Sequence, residues 1–481
     1  MSAENQSTAH KELSPLAGLF TAYAGLQLLL ALSSLVRNKV TAVNLGVAKF
    51  GEFAQLMNVC ALLAALAGLG LAMALSRNMA ISDDVHLRRA NLGTALTLTA
   101  VVSTAAAVVA LGTIAGGVFF ALAVLPSGRD QSVAAVIVVV AVPIICVQGL
   151  YIAALQGLLD AVGMARSRGL AVVVATLLGI PLILVWGLVG AAASVLLLAL
   201  FTAVALGRRL RKLGFSPLTL RFDPRVVRAL LTLGMASAAG SLAHAGADVV
   251  SRGITLANVG TRANGLIQAP LSVTALLQGI LLGTVGAMSV AVVARATGPA
   301  QMRHELLRML DFVVPFAVLG FAALGAFAPL VLRLLYSSAF SDAYSLFAPV
   351  LLYQFTAVVY WILGAPLLAT GRAKLWLTLE LVGAASKVGL AWWLVPMVGI
   401  GGLPLSLLMV GLLHLLLNII CLDRAVGIKL PARRYATVAV ASVAIILCWW
   451  LPSFGLPGAV ATAAILIVIL GICAKKFRSH S

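Results

Sequence analysis

Charge is scarce in this chain, and negative charge is the scarcest. Of 481 residues only 10% are charged, with 14 Asp and Glu against 33 Lys and Arg. Hydrophobic residues make up 62%, and the mean hydropathy is +1.10. That composition excludes a soluble globular domain and requires a protein that crosses a membrane many times. No polar stretch is long enough for a separate soluble domain, and no large acid-bearing loop is present of the kind an integral glycosyltransferase or polymerase needs. There is no Walker motif, no dinucleotide fingerprint and no metal-ligand cluster. The chain is therefore not expected to be an enzyme, to bind ATP or to hold a resident cofactor or metal. The five cysteines, Cys60, Cys146, Cys421, Cys448 and Cys473, lie in apolar stretches without ligand spacing and read as packed thiols. A net charge of +19 raises the question of nucleic acid. The basic residues sit in short loops between apolar runs, so no nucleic-acid partner is expected.

What is present is a series of about 14 apolar spans, near 14–45, 52–75, 91–122, 132–158, 169–187, 189–207, 229–258, 264–293, 309–333, 343–369, 373–396, 400–421, 435–451 and 457–474. The fold class is an all-α polytopic membrane protein. Residues 1–12 are polar without a signal-peptide pattern, so the first span is expected to be retained. An even number of spans puts both termini on one side. The connections on that side hold 25 of the 33 basic residues, and those on the other hold seven, with Lys387 inside a span. The positive-inside rule then places both termini in the cytoplasm.

The seventh span carries a polar stripe. Ser237, Ser241, His244, Asp248, Ser251, Thr255 and Asn258 recur at steps of four and three, which puts them on one helical face. Arg252 stands at its edge. Within a membrane such a face must turn toward protein or water, and a lined aqueous cavity is the expectation. Shifting back 214 residues gives Tyr23, Gln27, Leu30, Ser34, Arg37, Thr41 and Asn44, a second mostly polar face. Thr41-Ala-Val-Asn-Leu-Gly46 with Gly51 matches Thr255-Leu-Ala-Asn-Val-Gly260 with Gly265. Gly163-Met-Ala-Arg166 pairs with Gly371-Arg-Ala-Lys374, and Gly187-Leu-Val-Gly190 with Gly399-Ile-Gly-Gly402. These matches indicate a duplicated unit of about 210 residues. The expected organisation is a six-helix lobe over 1–207, a basic cytoplasmic linker at 208–228, a second six-helix lobe over 229–424, and two additional spans in 425–481. Six helices per unit give both lobes one orientation, related by a pseudo-two-fold along the membrane normal, with the stripes as opposite walls of a cavity. The linker is a topology signal that also suits anionic lipid headgroups.

Cations on the disfavoured side need a reason. Lys49 and Arg262, in turns, read as interfacial snorkelling. Arg37 and Arg252, on or beside the stripes, suit an anionic substrate, because the guanidinium fork matches phosphate oxygens. With Gln27, Ser34, Thr41, Asn44, Thr255 and Asn258 they form the candidate substrate-binding set. Asp248, His244 and Glu380 are the candidate ion-coupling residues for H⁺ or Na⁺. The structural alternative pairs Asp248 with Arg252 at i,i+4, and Glu380 with Lys387 or with a partner across helices.

Val36-Arg-Asn-Lys-Val-Thr-Ala-Val-Asn-Leu-Gly46 with Phe50-Gly51 resembles the first-helix exit of polysaccharide flippases of the multidrug/oligosaccharidyl-lipid/polysaccharide (MOP) exporter superfamily. Leu335-Tyr-Ser-Ser-Ala-Phe340, Leu367-Leu-Ala-Thr-Gly-Arg372 and Gly399-Ile-Gly-Gly402 resemble the C-terminal half of that family. The resemblance runs over nearly the whole chain. It implies two six-helix lobes around a cationic cavity and a polyprenyl-diphosphate-linked oligosaccharide carried to the outer leaflet by alternating access. Its partners would be membrane lipids and the polymerase and glycosyltransferases of a surface or exopolysaccharide pathway. A lipid-linked peptidoglycan precursor flippase is the alternative within the superfamily, and a non-transporting scaffold for polysaccharide assembly the alternative outside it.

Overall fold

The computed structural model describes residues 3–294, 296 and 298–478, with side chains from Gly25 onward except at 233, 236, 283–292, 294 and 476–478. The Tyr23 side chain and the extreme C-terminus lie outside the described residues. Every regular element among the described residues is helical. The helices are α1 (Ala3–Gly68), α2 (Leu71–Ile81), α3 (Val85–Ala115), α4 (Val118–Ala123), α5 (Arg129–Gly157), α6 (Ala161–Lys212), α7 (Pro224–Val259) and α8 (Thr261–Ala294). They continue with α9 (Pro299–Ala326), α10 (Ala328–Leu335), α11 (Phe347–Ala369), α12 (Ala373–Val398), α13 (Gly402–Cys421), α14 (Ala432–Trp450) and α15 (Leu456–Arg478).

Ten of the described helical stretches are long and apolar enough to cross a membrane. Three of them hold two spans each, broken at Gly46 in α1, at Gly187 in α6 and at Gly399 between α12 and α13. The bent α7 adds one more, which gives fourteen. The breaks follow from glycine. Gly46 has φ 70° and ψ 176°, and Gly187 has φ 53° and ψ −120°, conformations in which a Cβ would collide with its own backbone.

The duplication is visible in these breaks. Gly46 and Gly260 both take positive φ, 70° and 90°, and so do Gly187 and Gly399, at 53° and 67°. The third sequence pairing shifts. Gly371 is left-handed at φ 74°, but Gly163 sits inside the first turn of α6, its N–H donating to the capping Asp160 Oδ1 at 3.2 Å. The left-handed residue before α6 is Leu159, φ 56°. Leu159 is thus the counterpart of Gly371. A small-and-basic motif at a helix start had imitated the match, whereas the turn itself sits four residues earlier.

Contacts divide the protein into two compact units. The first comprises Met1–Asn44 and Leu56–Ala245, the second Leu45–Gln55 and Gly246–Ser481. The basic segment 208–228 lies within the first unit, and α1 and α7 each contribute to both. In the first unit Leu71 and Met79 of α2, Leu92 of α3, Leu155 of α5 and Leu206 and Leu210 of α6 share one apolar core. The 213–223 connector is laid along this core rather than left loose. Thr97 Oγ1 donates to the Arg221 carbonyl at 2.9 Å, and Tyr151 Oη to the Pro217 carbonyl at 2.7 Å.

In the second unit α11 packs against α8, α9, α12, α13 and α14, and α14 and α15 pack on α9. Arg434 of α14 grips Asp311 of α9 with both guanidinium nitrogens, Nη2 to Oδ2 at 2.6 Å. Tyr344 stacks on Trp449 at 5.4 Å and donates to its carbonyl at 2.7 Å. The two last helices are therefore integral to this unit. The segment after the Gly46 break belongs here as well. A Cβ on Gly51 would overlap the backbone of Thr261 and Gly265, and one on Gly265 would overlap Val47, so the helices cross where both copies of the repeat carry glycine. Phe50 packs edge-on against Tyr336 at 6.0 Å and Phe340 at 5.8 Å. The Phe50-Gly51 and Leu335–Phe340 motifs, far apart in sequence, are one packing cluster.

Candidate functional site

The seven stripe positions of α7 do not share one environment. Ser237, Ser241 and His244 lie in the first unit, Asp248 to Asn258 in the second. Ser251 and Thr255 are fully buried, and their hydroxyls donate to the carbonyls of Asp248 (3.3 Å) and Ser251 (3.1 Å) on their own helix. Asn258 is exposed and bonds back to the Ile254 carbonyl at 2.8 Å. His244 and Asp248 are partly exposed. The expectation of a continuous cavity wall fails at Ser251 and Thr255. The face is the same, but what covers it changes along α7: it is partly open at His244 and Asp248, packed over at Ser251 and Thr255, and open again at Asn258.

Where the stripe enters the second unit it forms a polar network. Lys387 Nζ of α12 donates to Asp248 Oδ1, with the lysine side chain 9% exposed and the carboxylate 44% exposed. Arg252 is buried. Its Nη1 donates to Asn264 Oδ1 at 3.1 Å, and its Nη2 to Gln268 Oε1. Asn264 Nδ2 passes the chain on to the Gly51 carbonyl at 2.7 Å, and Gln55 Nε2 binds the Val249 carbonyl at 3.1 Å. Among the described residues the Asp248–Arg252 and Glu380–Lys387 pairings of the structural alternative give way to others. Arg252 bonds to the two amides of α8, not to Asp248, although Asp248 lies within its electrostatic reach. Lys387 goes to Asp248 and not to Glu380. The physical reason is reach: a short carboxylate on α7 meets a long lysine from the facing α12, while the guanidinium fork fits two amide oxygens one turn apart.

Glu380 is half-buried and lines a small pocket with Tyr360, Trp361, Trp376 and Asn418. The adjoining His414 ring meets Tyr360 edge-on at 4.8 Å and fills the space where a Cβ on Gly383 would stand.

The stripe of α1 lies in the first unit as far as Asn44. Gln27 and Ser34 are half-buried, Thr41 is buried, and Asn44 Nδ2 donates to the Ile183 carbonyl at 2.6 Å. Arg37 differs from Arg252: its Nε is buried with no hydrogen-bond partner. Sequence reasoning missed Asn264 and Gln268 as partners of Arg252, and Gln55 as a donor to the α7 backbone at Val249. The signal was there in Asn264 and Gln268, two amides one turn apart on a membrane-spanning helix. It left Lys387 to Glu380 because periodicity gives a residue's face, not the helix it faces.

The geometry can now be set beside known proteins. The model of the family described as polysaccharide biosynthesis protein matches residues 20–297, more than half of the chain. The chain belongs to that family. Curated protein sequences give no match. Among solved structures, the lipid II flippase MurJ in an inward closed conformation superposes with TM-score 0.73 at 12% identity, covering 95% of this chain and 99% of that one. A multidrug resistance MATE family transporter of the MOP superfamily, inward-facing, gives 0.66 at 18% identity over 83% and 94%. A MOP superfamily transporter from Pyrococcus furiosus, whose binding pocket is described as having reverse polarity, gives 0.60 at 18% over 85% and 96%. The family member thus has the fold of MOP superfamily transporters and is a multi-pass membrane protein.

Proposed function

We propose that this protein is a flippase that moves a polyprenyl-diphosphate-linked oligosaccharide from the inner to the outer leaflet of the bacterial cytoplasmic membrane by alternating access, for surface or exopolysaccharide synthesis. Family membership and the transporter fold support the class. The observation that carries the substrate is Arg37. A guanidinium nitrogen buried in an apolar helix without a partner is costly unless a ligand completes it. A diphosphate supplies oxygens in the matching geometry. Arg252 differs in that both of its terminal nitrogens already donate, to Asn264 and Gln268. In a flippase-null strain, expression of the wild-type chain should restore surface polysaccharide. A chain that reaches the membrane and restores none is a scaffold, not a flippase.

Transport is proposed to draw on a gradient of H⁺ or Na⁺. Asp248 is the candidate site, flanked by His244, with Glu380 in the adjoining pocket. Since Lys387 now holds Asp248, an incoming ion would take the carboxylate only when the lysine leaves it, so exchange would be tied to the relative motion of α7 and α12. Export by Asp248→Asn that answers an imposed pH or Na⁺ gradient at the wild-type rate would end that reading.

A second reading rests on the superposition with MurJ over 95% of this chain: the carried lipid would be a peptidoglycan precursor. Rescue of a strain depleted of its peptidoglycan-precursor flippase would favour it, and rescue of polysaccharide export alone would exclude it.

A further inference from the structure

Two grooves flank the C-terminal limb of α6 within the first unit. The larger, about 760 Å³, runs between the two limbs of α6 and has apolar walls that include Leu170, Val174, Leu200 and Phe201. Arg166, Arg208, Arg209 and Lys212 crowd one end of it. The smaller, about 420 Å³, lies on the other side of the limb, walled by Ile144, Val147 and Ala203, with Arg211 and Pro217 among its lining. Val204 and Arg208 line both grooves and so form the wall the two share.

The charge at this junction is unbalanced. Asp160 is the acid that lines the larger groove, and it is already occupied. It receives Arg209 Nε at 2.6 Å and Nη2 at 2.9 Å and accepts the Gly163 N–H at 3.2 Å. Arg166, Arg208 and Lys212 form no ion pair among the described residues. Along the smaller groove Ser103 Oγ is buried with no hydrogen-bond partner. Thr97, one and a half turns earlier on α3, already bonds the polar connector at Arg221. Ser103 therefore stands just beneath the polar surface. Phosphate-binding cations, two apolar channels that fork from them and an unsatisfied hydroxyl below the surface are the parts that a two-chained lipid requires.

We propose that this is a binding site for one diacyl anionic phospholipid of the cytoplasmic leaflet. One acyl chain fills each groove. The phosphate sits at Arg208, with Arg166 and Lys212 to one side and Arg211 to the other, and Ser103 donates to an ester carbonyl. Anionic lipid is concentrated in the leaflet that the positive-inside rule assigns to this end of α6. A single-chained polyprenyl lipid would fill one groove and leave the other empty, so the fork favours the diacyl lipid. The site is independent of the transport reading, because none of its residues belongs to the α1 or α7 stripes.

Full-length protein purified in mild detergent is titrated with phosphatidylglycerol or phosphatidylcholine and read by native mass spectrometry. The wild type should retain one phosphatidylglycerol in preference to phosphatidylcholine. The Arg166→Gln, Arg208→Gln variant should bind phosphatidylglycerol roughly 30-fold more weakly, from the usual contribution of each basic residue near an anionic surface. Val204→Trp keeps every charge but narrows both grooves, and should also lose the lipid while eluting as a monodisperse species. Unchanged phosphatidylglycerol binding in both variants overturns the proposal. So does displacement of the bound lipid by undecaprenyl phosphate at lower concentration than by phosphatidylglycerol, which would give the site to the carrier lipid.

Discussion

Arg37 and Arg252 occupy nearly corresponding places in the two copies of the repeat, Arg37 aligning with Ser251 beside Arg252, and their surroundings differ. Arg252 is held by Asn264 and Gln268. At the repeat positions 214 residues earlier the chain carries Phe50 and Ala54. Phe50 is spent on packing against Tyr336 and Phe340. The duplicated helices thus carry a cation at nearly the same repeat position, while only one copy carries amides that bond to it. A cation whose terminal nitrogens are both held by neutral amides is read as part of the scaffold. One with an unpartnered buried donor, as at Arg37, is proposed as a place for an anion.

The largest effect should separate the two arginines. Arg37→Ala should cut polysaccharide export at least tenfold with the protein level unchanged, and Arg37→Lys should rescue partly, since a point charge loses the bidentate geometry. Arg252→Ala should act through stability instead. It strands two amide oxygens inside the unit, at about 1–3 kcal/mol each, and membrane protein level measured by immunoblot should fall. Equal export and level in the two alanine variants would erase the distinction.

The next largest concerns the neighbouring pair. Lys387→Met leaves Asp248 without its cation. The loss should stay below the roughly 3–5 kcal/mol of a fully buried pair, because the carboxylate is 44% exposed. Thermal unfolding in detergent should show it, and Asp248→Asn with Lys387→Met should regain most of the loss. No recovery would mean that the two residues are not coupled.

A smaller effect compares the copies at a turn. Leu159 carries a left-handed backbone that its counterpart Gly371 adopts freely. Leu159→Gly should stabilise, and Gly371→Ala destabilise, each by about 1 kcal/mol in the same unfolding assay. Destabilisation by Leu159→Gly, or no loss in Gly371→Ala, would show that the two turns are not equivalent. The smallest effect is expected at Arg262, paired with Asp342 at 3.4 Å with both side chains exposed. Arg262→Ala should change stability by less than about 1 kcal/mol and leave export intact.

Much of this architecture was legible in the sequence because it is local. Apolar runs give the fourteen spans, and the repeated Gly46/Gly260 and Gly187/Gly399 mark the breaks because only glycine takes those backbone angles cheaply. What was not legible is which helix meets which. Asp248 and Lys387 are 139 residues apart, and nothing in either helix's periodicity names the other. The stripe on α7 was read as one wall because a 3-4 step puts its residues on one face, and the spacing does not say where another helix covers that face, as it does at Ser251 and Thr255. The third repeat pairing slipped because residue identity at Gly163 outweighed a turn geometry that Leu159 conceals.

The central claim is that Arg37 offers an open donor to a diphosphate while Arg252 does not. The direct measurement is the affinity of the purified full-length protein for a short-chain prenyl diphosphate, followed by intrinsic tryptophan fluorescence in detergent. Replacing Arg37 by Ala should weaken binding by roughly 10- to 100-fold, the range for loss of one charge-assisted interaction, whereas Asn264→Leu, which disturbs only the partners of Arg252, should leave it within about threefold. Unaltered affinity in Arg37→Ala, or an equal loss in both variants, would contradict the account.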